Sequence, residues 1–148
     1  MQSILNLTVM NSMNDKIFID SNILIYSYSD LFPDKQNIAR QLINKYNEVF
    51  ISTQVLNEFI SAFNKKLKAD WYDIMNSFDE IIGNFSILTN TPDIIKEACK
   101  IATKIHYSFY DSLIIAAALE CGCNILYSED MHHGQTIDSK LKIINPFK

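Results

Sequence analysis

The sequence predicts an α/β fold: one domain built on a parallel sheet of about five strands, with helices on both faces. Three observations carry that expectation. Short apolar runs of strand length alternate along the chain with longer segments whose apolar residues recur at helical spacing. The short runs are continuously apolar rather than alternating, as in strands buried on both sides. The 148 residues, 48% of them hydrophobic, suffice for a single core without disulfides or structural metals.

Residues 1–15 are polar with scattered apolar positions and are expected to form a flexible N-terminal arm. The patterned domain then runs over 16–148, which leaves Met10 and Met13 as alternative starts to Met1. The arm holds no Lys or Arg and no small-residue cleavage site, so no signal peptide is expected. Lys16-Ile17-Phe18-Ile19-Asp20 reads as the first strand, ending in an acid. Ser21 is expected to cap a helix through Asn22-Ile23-Leu24-Ile25-Tyr26. Pro33-Asp34 opens a helix with Ile38, Ala39, Leu42, Ile43 and Tyr46 on one face.

Val49-Phe50-Ile51 reads as the second strand. Ser52 or Thr53 caps a helix that places Val55, Leu56, Phe59, Ile60 and Phe63 at helical spacing. Asp70 begins another helix, which Gly83 is expected to end. Phe85-Ser86-Ile87-Leu88 is the third strand, and Thr91-Pro92-Asp93 starts a helix carrying Ile94, Ala98, Ile101 and Ile105. Residues 111–120 form a mostly apolar helix, expected to be buried on most sides. Residues 124–127 and 141–144 complete the strands. The pattern contains no internal repeat, low-complexity stretch or domain linker.

Composition narrows the function. Thirteen basic residues against 17 acidic ones give a net charge of −4, and Arg40 is the only arginine. That is no broad positive footprint for duplex nucleic acid. A nuclease whose acids are covered by bound cations still handles phosphates, so nuclease chemistry stays open. No apolar run is long enough to span a bilayer, so no membrane partner is expected. The cysteines are Cys99, Cys121 and Cys123, an odd number with one close pair. They make a poor disulfide framework and suit a reduced, cytoplasmic protein. Cys121-Gly122-Cys123 lacks a second ligand pair at zinc-finger spacing and fits small residues flanking a helix-ending glycine.

In open α/β sheets ligands collect at the carboxyl ends of the strands. Asp20 closes the first strand, and Asp130 lies just beyond Tyr127, past Ser128 and Glu129. Glu58 stands about a turn and a half into the helix after the second strand, among apolar neighbours. A carboxylate buried there requires a cation or strong donors, whereas one at the edge of the apolar stripe simply reaches water. Asp111 sits at the start of the apolar helix, where the helix dipole favours a negative charge. Each acid also has an ordinary reading. Asp20 and Asp111 suit helix caps, and Glu129-Asp130 suits a solvated turn. The set is what points to chemistry: converging carboxylates repel unless hard cations neutralise them, and oxygen-only ligands suit Mg²⁺ or Mn²⁺.

Other signatures are missing. Only Gly83, Gly122 and Gly134 are present, so there is no phosphate-cradling loop and no dinucleotide fingerprint. No Gly-x-Ser-x-Gly elbow occurs. His132 and His133 follow the Glu129-Asp130 turn and either touch substrate or metal or are solvated. Lys96, Lys100 and Lys104 form a helical stripe that is either a solvated face or an RNA-facing one.

Lys16-Ile17-Phe18-Ile19-Asp20-Ser21-Asn22 resembles the opening of PIN-domain proteins, whose first strand ends in Asp followed by Ser or Thr and Asn. Ser52-Thr53-Gln54-Val55-Leu56-Asn57-Glu58-Phe59 is similar to their second motif, and Tyr110-Asp111-Ser112-Leu113-Ile114-Ile115 to their third. Leu126-Tyr127-Ser128-Glu129-Asp130-Met131 resembles the fourth, and Asn145-Pro146-Phe147 a frequent ending. The resemblance spans residues 16–147, and the closest group is the VapC-type toxins of toxin–antitoxin pairs.

That resemblance implies Mg²⁺- or Mn²⁺-dependent cleavage of RNA, with Asp20, Glu58, Asp111 and Asp130 at the family's acidic positions. It places Ser21, Asn22 and Ser128 at the small polar positions that support the acids. It prefers Asp130 to Glu129 in the fourth motif, and it implies an antitoxin partner and a homodimer. Tyr26, Tyr28 and Leu31, expected to be exposed, offer apolar surface for such contacts. Two rivals remain. One is a PIN-like module that binds RNA or protein without cleaving. The other is a phosphotransfer hydrolase using Asp20 as nucleophile, although such enzymes usually carry a second acid where this chain has Asn22.

Overall fold

The computed structural model describes residues 15–148. Of the arm expected over residues 1–15, residues 1–14, with Met10 and Met13, lie outside the described residues. Six strands form one sheet: β1 (Ile17–Ile19), β2 (Val49–Ser52), β3 (Ser86–Leu88), β4 (Ile125–Tyr127), β5 (Thr136–Ile137) and β6 (Leu141–Ile144). Their order across the sheet is β3-β2-β1-β4-β6-β5. Every neighbouring pair is parallel except β5 with β6. The five expected strands are therefore present, and a sixth is added at one edge. β5 is two residues long, too short to leave a period-2 signature in the sequence, and a short strand is a common way to end a sheet.

β1 lies in the middle and explains why the strands are continuously apolar. Successive side chains of a strand point to opposite faces. Ile17, Phe18 and Ile19 are all fully buried, so both faces of the sheet are covered. Each such side chain contributes about 1.5–3 kcal/mol through removal from water. The same core takes in Ile51 from β2, Leu126 from β4, and Leu141 and Ile143 from β6.

The covering helices are α1 (Ser21–Tyr28), α2 (Pro33–Lys45), α3 (Thr53–Lys65), α4 (Trp71–Asn84), α5 (Pro92–Ile105) and α6 (Phe109–Glu120). α1 packs against α2 and α3, α3 against α4, and α5 against α6. From Ser112 to Ala118 every residue of α6 is buried, so this helix is enclosed on all sides as its composition predicts. Gly122 follows with φ +72°, the left-handed conformation that glycine adopts at little cost.

Three helix ends differ from expectation. The N-cap of α1 is Asp20, not Ser21; Asp20 Oδ1 accepts from the Ser21 amide at 2.7 Å. Ser108, not Asp111, caps α6, and its hydroxyl accepts from the Asp111 amide at 3.1 Å. Gly83 lies inside α4, which runs on to Asn84; there the Phe85 amide still reaches Ile81 O at 3.0 Å. With no requirement for a left-handed residue at that point, the glycine is not a terminator.

Candidate active site at the carboxyl edge of the sheet

The register of the sheet brings distant residues level. Ile19 pairs with Tyr127 across β1 and β4, so Asp20 and Ser128 leave their strands side by side. The Asp20 amide extends that ladder by donating to Tyr127 O at 2.9 Å, and the Ser128 amide donates to Ile144 O at 3.0 Å. Asp20 is thus held by backbone from below and is only 5% exposed. Ser128 Oγ donates to its Oδ2 at 2.8 Å. Burial pushes the Asp20 carboxyl up from its ordinary value of 3.8 to about 6. The bonds from Ser128 and the Ser21 amide pull the other way and do not offset it, while Glu58 and Asp111 add repulsion.

Glu58 projects from α3 toward Asp20. Ser21 Oγ donates to Glu58 Oε2 and lies 3.4 Å from Asp20 Oδ1, so one hydroxyl stands between the two carboxyls. Gln54, one turn earlier on α3, donates from Nε2 to Glu58 Oε1 at 2.8 Å and to Tyr110 O at 3.1 Å. Glu58 is half-buried and satisfied by neutral donors, between the two readings its sequence position allows.

Asp111 stands in the first turn of α6. Burial raises its carboxyl above the ordinary range; the Ser108 hydroxyl lowers it, and the Asp130 and Glu58 charges raise it again. Asp130 lies beyond β4, where Asn22 Nδ2 donates to its Oδ2 at 3.1 Å. Its neighbour Glu129 is used differently. Lys35 pairs with Glu129, and the Tyr26 hydroxyl donates to the same carboxylate at 2.6 Å. Asn22 Oδ1 in turn accepts from the Glu129 amide at 3.3 Å, fixing the turn between the two acids.

The four acids therefore face one region but, among the described residues, form no ion pair with a basic side chain. Among the described residues the ion pairs are Lys35–Glu129 and Lys100–Glu97, and neither includes any of them. No three Asp, Glu, His or Cys side chains among the described residues stand close enough to ligate one ion in their present rotamers.

A cavity of about 380 Å³ opens beside them, lined by Ser21, Asn22, Glu58 and Asp130 and flanked by Lys65 and Lys66. Those lysines escaped the sequence reading, although a signal existed. Glu58, Ser61, Ala62 and Lys65 follow the i, i+3, i+4, i+7 spacing of one helix face. A second groove, of about 510 Å³, lies on the other side of Glu58 and includes Gln54, Asn90 and Tyr110.

The remaining candidates fall elsewhere. His133 Nδ1 accepts from the Asn145 amide at 2.9 Å, a structural use, and His132 is exposed. Lys96, Lys100 and Lys104 lie on an exposed face of α5. Tyr26 and Tyr28 are half-buried rather than exposed, with their hydroxyls on Glu129 and Glu80; Leu31 is 66% exposed.

An open, mostly parallel sheet with polar side chains gathered at its carboxyl edge defines an α/β domain with a candidate site at that edge. The chain belongs to the PIN domain family, whose sequence profile matches residues 17–136. Family and fold thus agree with what the motifs imply. No curated protein sequence matches the chain significantly. Among solved structures, the fold is similar to a toxin–antitoxin complex from Klebsiella pneumoniae, with a TM-score of 0.67 and 17% identity, covering 88% of this chain and 98% of that one. It is also similar to VapC20 of Mycobacterium tuberculosis, described as a sarcin–ricin loop cleaving toxin (TM-score 0.64, 18% identity, 75% and 87% covered). A third likeness is to a DNA-bound VapBC from Salmonella typhimurium (TM-score 0.63, 16% identity, 86% and 96% covered). No helix among the described residues is long and apolar enough to cross a membrane.

Proposed function

We propose that this chain is a Mg²⁺- or Mn²⁺-dependent endoribonuclease that hydrolyses RNA phosphodiesters as the toxin of a toxin–antitoxin pair. One observation carries the reading: Asp20 feels the charges of Glu58 and Asp111, Asp111 those of Asp130 and Glu58, and among the described residues none of the four forms an ion pair with a basic side chain. A folded protein tolerates such repulsion most easily when a divalent ion relieves it. The donor set fits a hard cation, because every candidate ligand is oxygen. Asp20, Glu58, Asp111 and Asp130 would hold the ion, with the Ser21 hydroxyl bonded to Glu58 and near Asp20.

When bound, the ion supplies positive charge to the carboxylates and the phosphate and makes water more acidic. The chain's own residues do the rest. Ser128 and the Ser21 amide hold Asp20 in one orientation, and Asn22 does the same for Asp130. Lys65 and Lys66 flank the cavity and attract the phosphates of an incoming strand despite the acidic chain. The phosphotransfer alternative fits poorly, because both Asp20 oxygens are engaged and the group is almost sealed from solvent.

The toxin assignment draws on the structural likeness to toxin–antitoxin proteins, one of which is described as a sarcin–ricin loop cleaving toxin. The antitoxin and a second copy would cover exposed apolar side chains: Leu31 and Phe32 after α1, and Trp71, Tyr72 and Met75 on α4. With RNA and an antitoxin as its partners, the protein would act in the cytoplasm.

The test is cleavage of end-labelled single-stranded RNA by wild type and Asp20→Asn, with Mg²⁺, Mn²⁺ or excess EDTA. Cleavage by wild type alone, and only with metal, is expected. Undiminished cleavage in EDTA rejects the metal, and wild type inactive with both metals favours a binding module. Expression in a bacterial host separates the toxin role: wild type should arrest growth and Asp20→Asn should not.

A further inference from the structure

The second groove beside Glu58 holds polar atoms that the proposed hydrolysis does not use. Gln54 is only 7% exposed. Both protons of its Nε2 are committed, to Glu58 Oε1 and to Tyr110 O. Both partners are acceptors, so the orientation of the amide is fixed and Oε1 is the atom left over. It has no hydrogen-bond partner, and neither does Asn90 Oδ1 on the loop after β3. Asn90 is anchored there by its amide, which donates to Thr53 Oγ1 at 3.2 Å. Both oxygens are shielded from solvent, so leaving them unpaired is costly, and a donor that parts the groove wall enough to reach them relieves the cost. The groove also includes Tyr110, 64% exposed with its ring edge-on to Phe109 at 5.3 Å, and Ile95, 41% exposed.

A flat aromatic side chain in the same groove as two acceptor oxygens is the complement of a nucleobase with donors on its edge. We infer that this groove is a base-recognition subsite for guanine in single-stranded RNA, with Tyr110 as the stacking surface and Gln54 and Asn90 as the readers. The inference rests on the ribonuclease reading above. Guanine presents two adjacent donors, N1–H and the N2 amino group, to the two oxygens. Uracil presents one donor flanked by carbonyls and opposes acceptor with acceptor. Adenine and cytosine each present one amino group beside a ring acceptor and fall between. Gln54 also holds Glu58, so the residue that reads the base positions an acid of the site.

The experiment measures binding apart from cleavage. Fluorescein-labelled hexauridylate, and the same oligomer with one central guanine, are titrated into the Asp20→Asn protein and followed by anisotropy. The guanine oligomer should bind about tenfold more tightly. Tyr110→Ala should weaken both oligomers by about tenfold with their ratio unchanged, since stacking is sequence-tolerant. Asn90→Ala should erase most of the ratio, and Asn90→Asp, which keeps the acceptor, should restore it. Melting curves establish that each variant is folded. Equal affinities for both oligomers, with wild type still cleaving RNA in Mg²⁺, overturn the subsite and leave the nuclease. A guanine preference in a protein that cleaves no RNA with either metal overturns the nuclease and leaves the subsite. A preference that survives Asn90→Ala removes Asn90 as a reader.

Discussion

The Ser128 hydroxyl donates to Asp20 Oδ2 across 2.8 Å, joining the carboxyl ends of β1 and β4 through two buried side chains. A donor to a buried carboxylate contributes more than a neutral bond does, and its removal leaves the oxygen unsatisfied. Ser128→Ala should therefore lower stability by about 1–3 kcal/mol at pH 7 without metal. It should also raise the Asp20 carboxyl further. Urea unfolding checks the first point. The loss should shrink near pH 5, where Asp20 is protonated and no longer depends on that donor for its charge.

Stability should fall as pH rises through the Asp20 titration. The folded carboxyl sits at about 6 against an ordinary 3.8, so between those values the folded state holds more protons than the unfolded one. The contribution is most favourable below pH 4, is lost through the window from about 4 to 6, and stays unfavourable above it. At neutral pH the penalty is about 3 kcal/mol for a shift of this size. Asp20→Asn should remove that slope and make the metal-free protein about 2 kcal/mol more stable at pH 7.5. Mg²⁺ should raise the melting temperature of wild type more than that of the variant. Equal shifts would remove Asp20 from the ion site.

Asp111 and Ser108 separate charge from capping at the start of α6. Ser108 supplies the cap, so Asp111→Asn should leave the metal-free protein at least as stable as wild type while abolishing cleavage. Ser108→Ala should cost about 1 kcal/mol. Thermal melts in EDTA decide the matter. Should Asp111→Asn melt well below wild type with Mg²⁺ shifting both equally, its role is structural.

Glu129 and Asp130 are adjacent acids with separate partners. Glu129 is taken up by Lys35 and Tyr26, whereas Asp130 faces the cavity. Glu129→Gln should retain most of the cleavage, with a small, salt-sensitive loss of stability. Asp130→Asn should reduce cleavage by more than a hundredfold, about 3 kcal/mol of barrier. The reverse ranking would move the fourth acid to Glu129.

Much of this architecture is legible in the sequence because burial on both faces forces a recognisable pattern. Ile17-Phe18-Ile19 and the enclosed run from Ser112 to Ala118 are apolar throughout for that reason. Where geometry is decided by backbone angles, the sequence is ambiguous. Asp20 and Ser21 are both good caps, and only the extended conformation at Asp20 (φ −71°, ψ 161°) shows which one caps α1. The four candidate acids could be assigned to elements, but which of them face one another depends on strand register, which no local pattern records. Glu129 and Asp130 differ by one position, and Lys35, 94 residues away, sets them apart. Gln54 and Lys65 share the helix of Glu58, yet amides and lysines are ordinary on exposed helix faces and drew no notice.

The pairing of β1 with β4 also bears on how the protein is made. β1 is central, yet one of its two neighbours, β4, arrives 108 residues later. Asp20 and Ser128, which meet across that pair, are the same distance apart in the chain. A ribosome adds about 5–20 residues per second, so the first strand waits roughly 5–20 seconds for this partner. Until then the carboxyl edge has no fourth strand, no Ser128 and no Asp130. A growing chain therefore carries no assembled cleft beside the messenger being read, and the activity proposed for the protein begins only after Asp130 has been added and β4 has paired with β1.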